Sequence, residues 1–105
     1  MREKQIFNSV AQVDIDRLLN KKVRDKDVVF YKQIYCYAMR QKFNHKLEYI
    51  ATTLVPHDNI NSSGKVHHSV VIHCIKKINE VLRGNDVYSE RAKQILNKID
   101  TYEQN

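Results

Sequence analysis

The residues of this 105-residue chain best suited to hold a metal are its five histidines and two cysteines. Zinc sites use thiolate and imidazole donors at set spacings. Here no Cys-x-x-Cys pair exists, and His57, His68 and His73 are the nearest approach to a cluster. His68 and His73 lie five residues apart, which splits them around a helix instead of aligning them. The expectation is therefore no metal. Cys36 falls in an apolar stretch and reads as a packing residue, not a reactive thiol. His73, on the polar side of the helix wheel and close to Cys74, reads as a packing or hydrogen-bonding residue. Catalytic patterns are missing: there is no glycine-rich phosphate loop, no nucleophile elbow and no carboxylate pair. Glu48 and Asp58 stand isolated among basic residues. The chain is expected to be no enzyme, with no cofactor and no small-molecule substrate.

What remains is charge. The formal net charge is +6, and residues 17–77 hold twelve Lys/Arg against four Asp/Glu. The excess sits mid-chain, not in a tail. A concentrated positive field suits a polyanion, nucleic acid first and an anionic membrane second. The run Lys21-Lys22-Val23-Arg24-Asp25-Lys26-Asp27 reads as a phosphate clamp or, given its two aspartates, as a solvated linker. Six tyrosines could stack on bases, but Tyr31, Tyr35 and Tyr37 sit where helix packing explains them. No run approaches the roughly 18 apolar residues of a membrane span. The polar Met1-Arg2-Glu3-Lys4 start carries no leader pattern, so the expected location is a reducing cytoplasm, with no disulfide framework.

Elements must position these groups, and the composition says which kind. Hydrophobic residues at 42% and charged residues at 29% mark a folded chain; two glycines and one proline are too few for the turns of an all-β sandwich. The spacing of Ile6, Phe7, Val10 and Val13 predicts a short helix over 4–12. Asp14 is a plausible cap for a second, with Ile15, Leu18 and Leu19. Residues 28–43 are apolar nearly all round in their first half, as in a central helix packed on several sides, and Asp27 could cap it. Leu47, Ile50, Ala51 and Leu54 predict a helix over 47–54. Residues 55–66, with Pro56, Asn59, Asn61 and Gly64, are loop chemistry. Val71, Ile75, Ile78 and Leu82 then predict the clearest helix, over 67–83, with Gly84 as its stop. Tyr88, Ala92, Ile95 and Ile99 predict a last helix over 87–100. The expectation is one all-α domain over 1–105, about six helices, in which 47–54 and 67–83 make a helix-turn-helix variant. A usual turn there is about 3–4 residues, so the connection is enlarged.

Four blocks, in order, carry a family resemblance. His67-His68-Ser69-Val70-Val71-Ile72-His73-Cys74-Ile75-Lys76-Lys77-Ile78 resembles Asp-His-Thr-Thr-Val-x-His-Ala-Cys-Arg-Lys-Ile, and Lys32-Gln33-Ile34-Tyr35-Cys36-Tyr37-Ala38-Met39-Arg40-Gln41 resembles Arg-Gln-(Ile/Val/Met)-Ala-Met-Tyr-Leu-x-Arg-Glu. Leu47-Glu48-Tyr49-Ile50-Ala51 parallels Leu-Pro-Glu-Ile-Gly, and Val10-Ala11-Gln12 with Arg17-Leu18-Leu19-Asn20-Lys21-Lys22 parallels Val-Ala-Glu and Asp-Leu-Leu-Ser-Lys-Arg. The motifs are those of the C-terminal DNA-binding domain of the DnaA replication initiators, a helix-turn-helix domain of TrpR-like fold. The resemblance implies duplex DNA as partner and a recognition helix in the major groove, in a protein of the cytoplasm and nucleoid concerned with replication origins or their regulation. It implies base contacts by His67, His68, Ser69 and Val70, and a minor-groove contact by Lys32 at the start of the central helix. Lys21, Lys22, Arg24, Lys26, Lys46, Lys65 and Lys76 are the expected phosphate anchors.

Departures qualify this. The family's Asp is His67 here and its second Thr is Val70, which keeps a methyl surface but loses the hydroxyl. The family's Arg is Lys32, which loses the planar fork. No counterpart of the initiators' ATPase module appears within the 105 residues, so the resemblance implies a stand-alone DNA-binding module, a regulator or a mobile-element protein. The alternative is a degenerate copy of the fold that has lost DNA reading and binds a protein partner.

Overall fold

The computed structural model describes residues 2–20, 26–53 and 68–104. It has six helices in chain order: α1 (Arg2–Ala11), α2 (Ile15–Asn20), α3 (Lys26–Gln41), α4 (Leu47–Thr53), α5 (His68–Leu82) and α6 (Val87–Gln104). Among the described residues there is no strand, as the scarcity of glycine and proline predicts. The all-α expectation holds. No described helix is long and apolar enough to cross a membrane.

α3 is the centre of the molecule. It packs against each of the other five helices, most extensively α5. This explains its nearly all-round apolar sequence: Phe30, Ile34, Tyr35, Cys36, Ala38 and Met39 are all buried. Burying a side chain of this size contributes roughly 1.5–3 kcal/mol. α1 adds Ile6, Phe7, Val10 and Ala11 to the same core, with the Phe7 ring edge-on to Tyr35 at 5.4 Å. α6 contributes Ala92, Ile95, Leu96 and Ile99.

Local chemistry sets the helix ends. Gln12, just past α1, has φ 59°, and Val13 N–H reaches back to the Asn8 carbonyl at 3.1 Å. That is a left-handed C-terminal cap closed by a long backbone bond. The Arg91 guanidinium donates to the Ala11 carbonyl at 2.8 Å, tying the end of α1 to α6. Asp14 caps α2 as expected: its carbonyl accepts from Leu18 N–H at 3.0 Å and its carboxylate from Arg17 N–H at 3.4 Å. Asn8 Oδ1 takes the Ile15 N–H at 2.9 Å.

Two expectations about α3 are corrected. Asp27 does not cap it, because the helix already includes Lys26. Asp27 instead accepts the Tyr88 hydroxyl at 2.8 Å, joining α3 to α6. Lys32 consequently lies about two turns into α3, not at its start. The helix also runs on at the C-terminal side of the chain, where α6 continues four residues beyond 100.

Candidate nucleic-acid interface

α5 is the element with two distinct faces. Val71, Cys74 and Ile78 are buried, and Val70, Ile75, Val81 and Leu82 are half-buried against the core. The opposite side exposes Ser69, Ile72, His73, Lys76, Lys77, Asn79 and Glu80. The buried side chains fix the rotation of the helix. A turn of one position would bring them into water at a cost of roughly 1.5–3 kcal/mol each. The outer row Ser69, Ile72/His73 and Lys76 therefore lies along one line, spaced three and four residues apart.

The packing reading of His73 is overturned here. Its ring is exposed because Val71 and Cys74, on either side in sequence, are the residues turned to α3. Ile72, 36% exposed, is the apolar member of the same outer row. Among the expected contacts, Ser69 and Lys76 stand on this face. Val70 is half-buried and turned partly to the core. His68 opens α5. His67, Lys21, Lys22, Arg24, Lys65 and the loop 55–66 lie outside the described residues.

The remaining cations are distributed unevenly. Lys46 is exposed just before α4, and α4 packs on α5. The Lys46 carbonyl accepts the Ile50 N–H at 3.0 Å, which starts α4. Buried Ile50 and Ala51 hold α4 in place. Lys26 stands elsewhere, at the rim of a hollow of about 280 Å³ with Val29, Phe30, Val81 and Tyr88. Val81 is twelve residues along α5 from Ser69, so Lys26 sits roughly 18 Å from Ser69 along the helix axis. Lys32 is half-buried on α3.

Other basic side chains are engaged. Lys4 pairs with Asp16 at 2.9 Å and Lys42 with Asp100 at 2.8 Å. Lys77 stands 3.7 Å from Glu80 on the exposed side of α5. A surface pair of that kind is worth about 0–1 kcal/mol and yields readily to a phosphate. Lys77 and His73 thus belong to the candidate face although sequence reasoning assigned them no contact. Their spacing from Ser69 and Lys76 was the available signal. Among the described residues, no group of three or more His, Cys, Asp or Glu could hold a metal.

No family model matches the sequence, and no solved structure matches it. The chromosomal replication initiator protein DnaA of Campylobacter concisus is 31% identical to it over 83 residues, or 79% of this chain. The match spans 17% of the initiator's own length. On these findings the chain is an all-helical domain similar to part of the chromosomal replication initiator DnaA.

Proposed function

We propose that this chain binds double-stranded DNA with a preference for sequence, using α4 and α5 as a helix-turn-helix variant and α5 as the recognition helix. The carrying observation is the outer face of α5, where Ser69, His73, Lys76 and Lys77 are exposed together while the inner face is anchored in the core. Short polar side chains near a helix start can reach base edges. Backbone N–H groups there favour phosphate, and the lysines farther along neutralise the flanking backbone. His67, His68, Val70 and Lys32 complete the proposed base contacts. Lys21, Lys22, Arg24, Lys46 and Lys65 supply the phosphate contacts; Lys26, beside Val29 and Val81 at the other end of α5, is set apart from them. The reading involves no catalytic step and places the chain with the nucleoid, in replication initiation or its control.

Fluorescence anisotropy on two labelled duplexes, one bearing the initiator's binding box and one scrambled, tests this across a salt series. The proposal expects affinity falling linearly on log–log axes with salt and a preference between the duplexes or, failing that, a preferred site recovered from a random library. The protein-partner alternative predicts weak binding that salt erases and no preferred site.

A further inference from the structure

We infer that Ile72 reads the C5-methyl group of a thymine in the major groove, as the apolar contact of an otherwise polar recognition face. The inference rests on the DNA-binding reading proposed above. Ile72 is 36% exposed, and among the described residues of α5 it is the one large hydrophobic side chain turned to solvent. A single exposed apolar residue is ordinary on a protein surface; what singles out Ile72 is its place. It lies in the second turn of α5, between Ser69 and Lys76 on the outer row, with exposed His73 beside it. Val71 is fully buried, and Val70 and Ile75 are half-buried against the core. Those three commit their apolar surface to the fold, and Ile72 does not.

The hydroxyl, imidazole and ammonium groups of this face can meet base-edge donors and acceptors or phosphates, but none of them recognises a methyl group. Thymine alone among the four bases presents a methyl in the major groove, and an apolar side chain is what meets it. Ile72 is β-branched and so held in one preferred χ1 rotamer on a helix. Its methyl groups therefore point in a fixed direction, and little freedom is lost on contact. Three residues place Ile72 about 4.5 Å beyond Ser69 along the helix axis, against about 3.4 Å between base pairs. The thymine it reads thus lies within about two base pairs of the base that Ser69 meets. Removing one methyl from such a contact is worth about fourfold in affinity.

The test takes the preferred duplex recovered from a random library and replaces each thymine in turn by deoxyuridine, which removes the methyl group and nothing else. Anisotropy with the native chain should show a loss of about fourfold at one thymine, near the position where Ser69→Ala relaxes the preference. Ile72→Ala should bind the unmodified duplex more weakly and no longer distinguish it from the deoxyuridine duplex at that position. Ile72→Val, which keeps a branched apolar side chain, should still distinguish them. The duplex series on the native chain depends on no variant folding. A native chain that prefers its site but is indifferent to every deoxyuridine, or an Ile72→Ala variant that keeps the full methyl sensitivity, would overturn the inference while leaving DNA reading intact. A native chain with no preferred site would overturn the reading on which the inference rests, and the inference with it.

Discussion

The Tyr35 hydroxyl, on the central helix, donates to Thr53 Oγ1 at 2.7 Å, at the last residue of α4. Thr53 in turn donates to the Ile50 carbonyl at 2.7 Å. Burial raises the Tyr35 phenol well above its ordinary pKa, keeping it a neutral donor. This chain of two bonds pins the end of α4 to α3, immediately before the connection that leads to α5. Tyr35→Phe should cost about 1 kcal/mol of stability, checked by urea unfolding. It should leave the preference among DNA sites unchanged, since Tyr35 is fully buried.

Gly84 follows α5 as its stop, but its need for glycine comes from close approach. A Cβ there would lie 2.9 Å from Ser89 Oγ. That hydroxyl cannot move freely, because it donates to the Val81 carbonyl at 2.5 Å and stands 2.9 Å from Asp86 Oδ1. Gly84→Ala should destabilise the fold by roughly 1–3 kcal/mol. The same change in a Ser89→Ala background should cost less, and a double-mutant cycle in urea measures the difference.

Asp86 caps α6 through the Ser89 N–H at 2.8 Å. That bond first, and the Ser89 hydroxyl second, hold the carboxyl below its ordinary range. A depressed folded-state pKa adds stability that is fully present above the unfolded value, roughly pH 4, and is lost as pH falls through the folded value. Asp86→Asn keeps a good cap, so melting at neutral pH should change little. The acid-side fall in Tm should be shallower than in the parent, as thermal melts from pH 7 to pH 2.5 would show.

Under the proposed function, Ser69 reads bases and Lys76 anchors phosphate, and the two roles leave different signatures. Ser69→Ala should reduce discrimination between preferred and scrambled duplexes by about 1 kcal/mol or more. Lys76→Ala should weaken both duplexes alike and lower the salt slope by about 1. Anisotropy titrations at three or more salt concentrations distinguish the two signatures.

Much of this architecture was legible in the residues. The apolar periodicity of Val71, Ile75, Ile78 and Leu82 located α5, and the dense apolar run at 28–39 marked α3 as central, because both signals are local. What escaped was set by contacts distant in sequence. Asp27 looked like a helix cap until α6 brought Tyr88 to it, 61 residues away. Gly84 looked like a simple stop, since its closeness to Ser89 depends on how α6 folds back on α5. Lys32 lies deeper in α3 than expected because the helix begins at Lys26, whereas His73 was placed on the polar side of its helix and only its packing role was misread. A helical wheel tells which residues share a side, but only the packing partner decides which side turns inward. For the candidate interface, Ser69 and Lys76 were readable from spacing, and the separation of Lys26 from them was not.

The central claim is that DNA meets the outer face of α5. Amide chemical-shift mapping of the full chain, titrated with a short duplex at moderate salt, tests it most directly. The account predicts the largest shifts at Ser69, Ile72, His73, Lys76 and Lys77, with smaller ones near Lys46, and little change around Val29 and Val87. Shifts concentrated at the Val29–Val87 end with α5 unmoved, or no shifts at all at low salt, would contradict it.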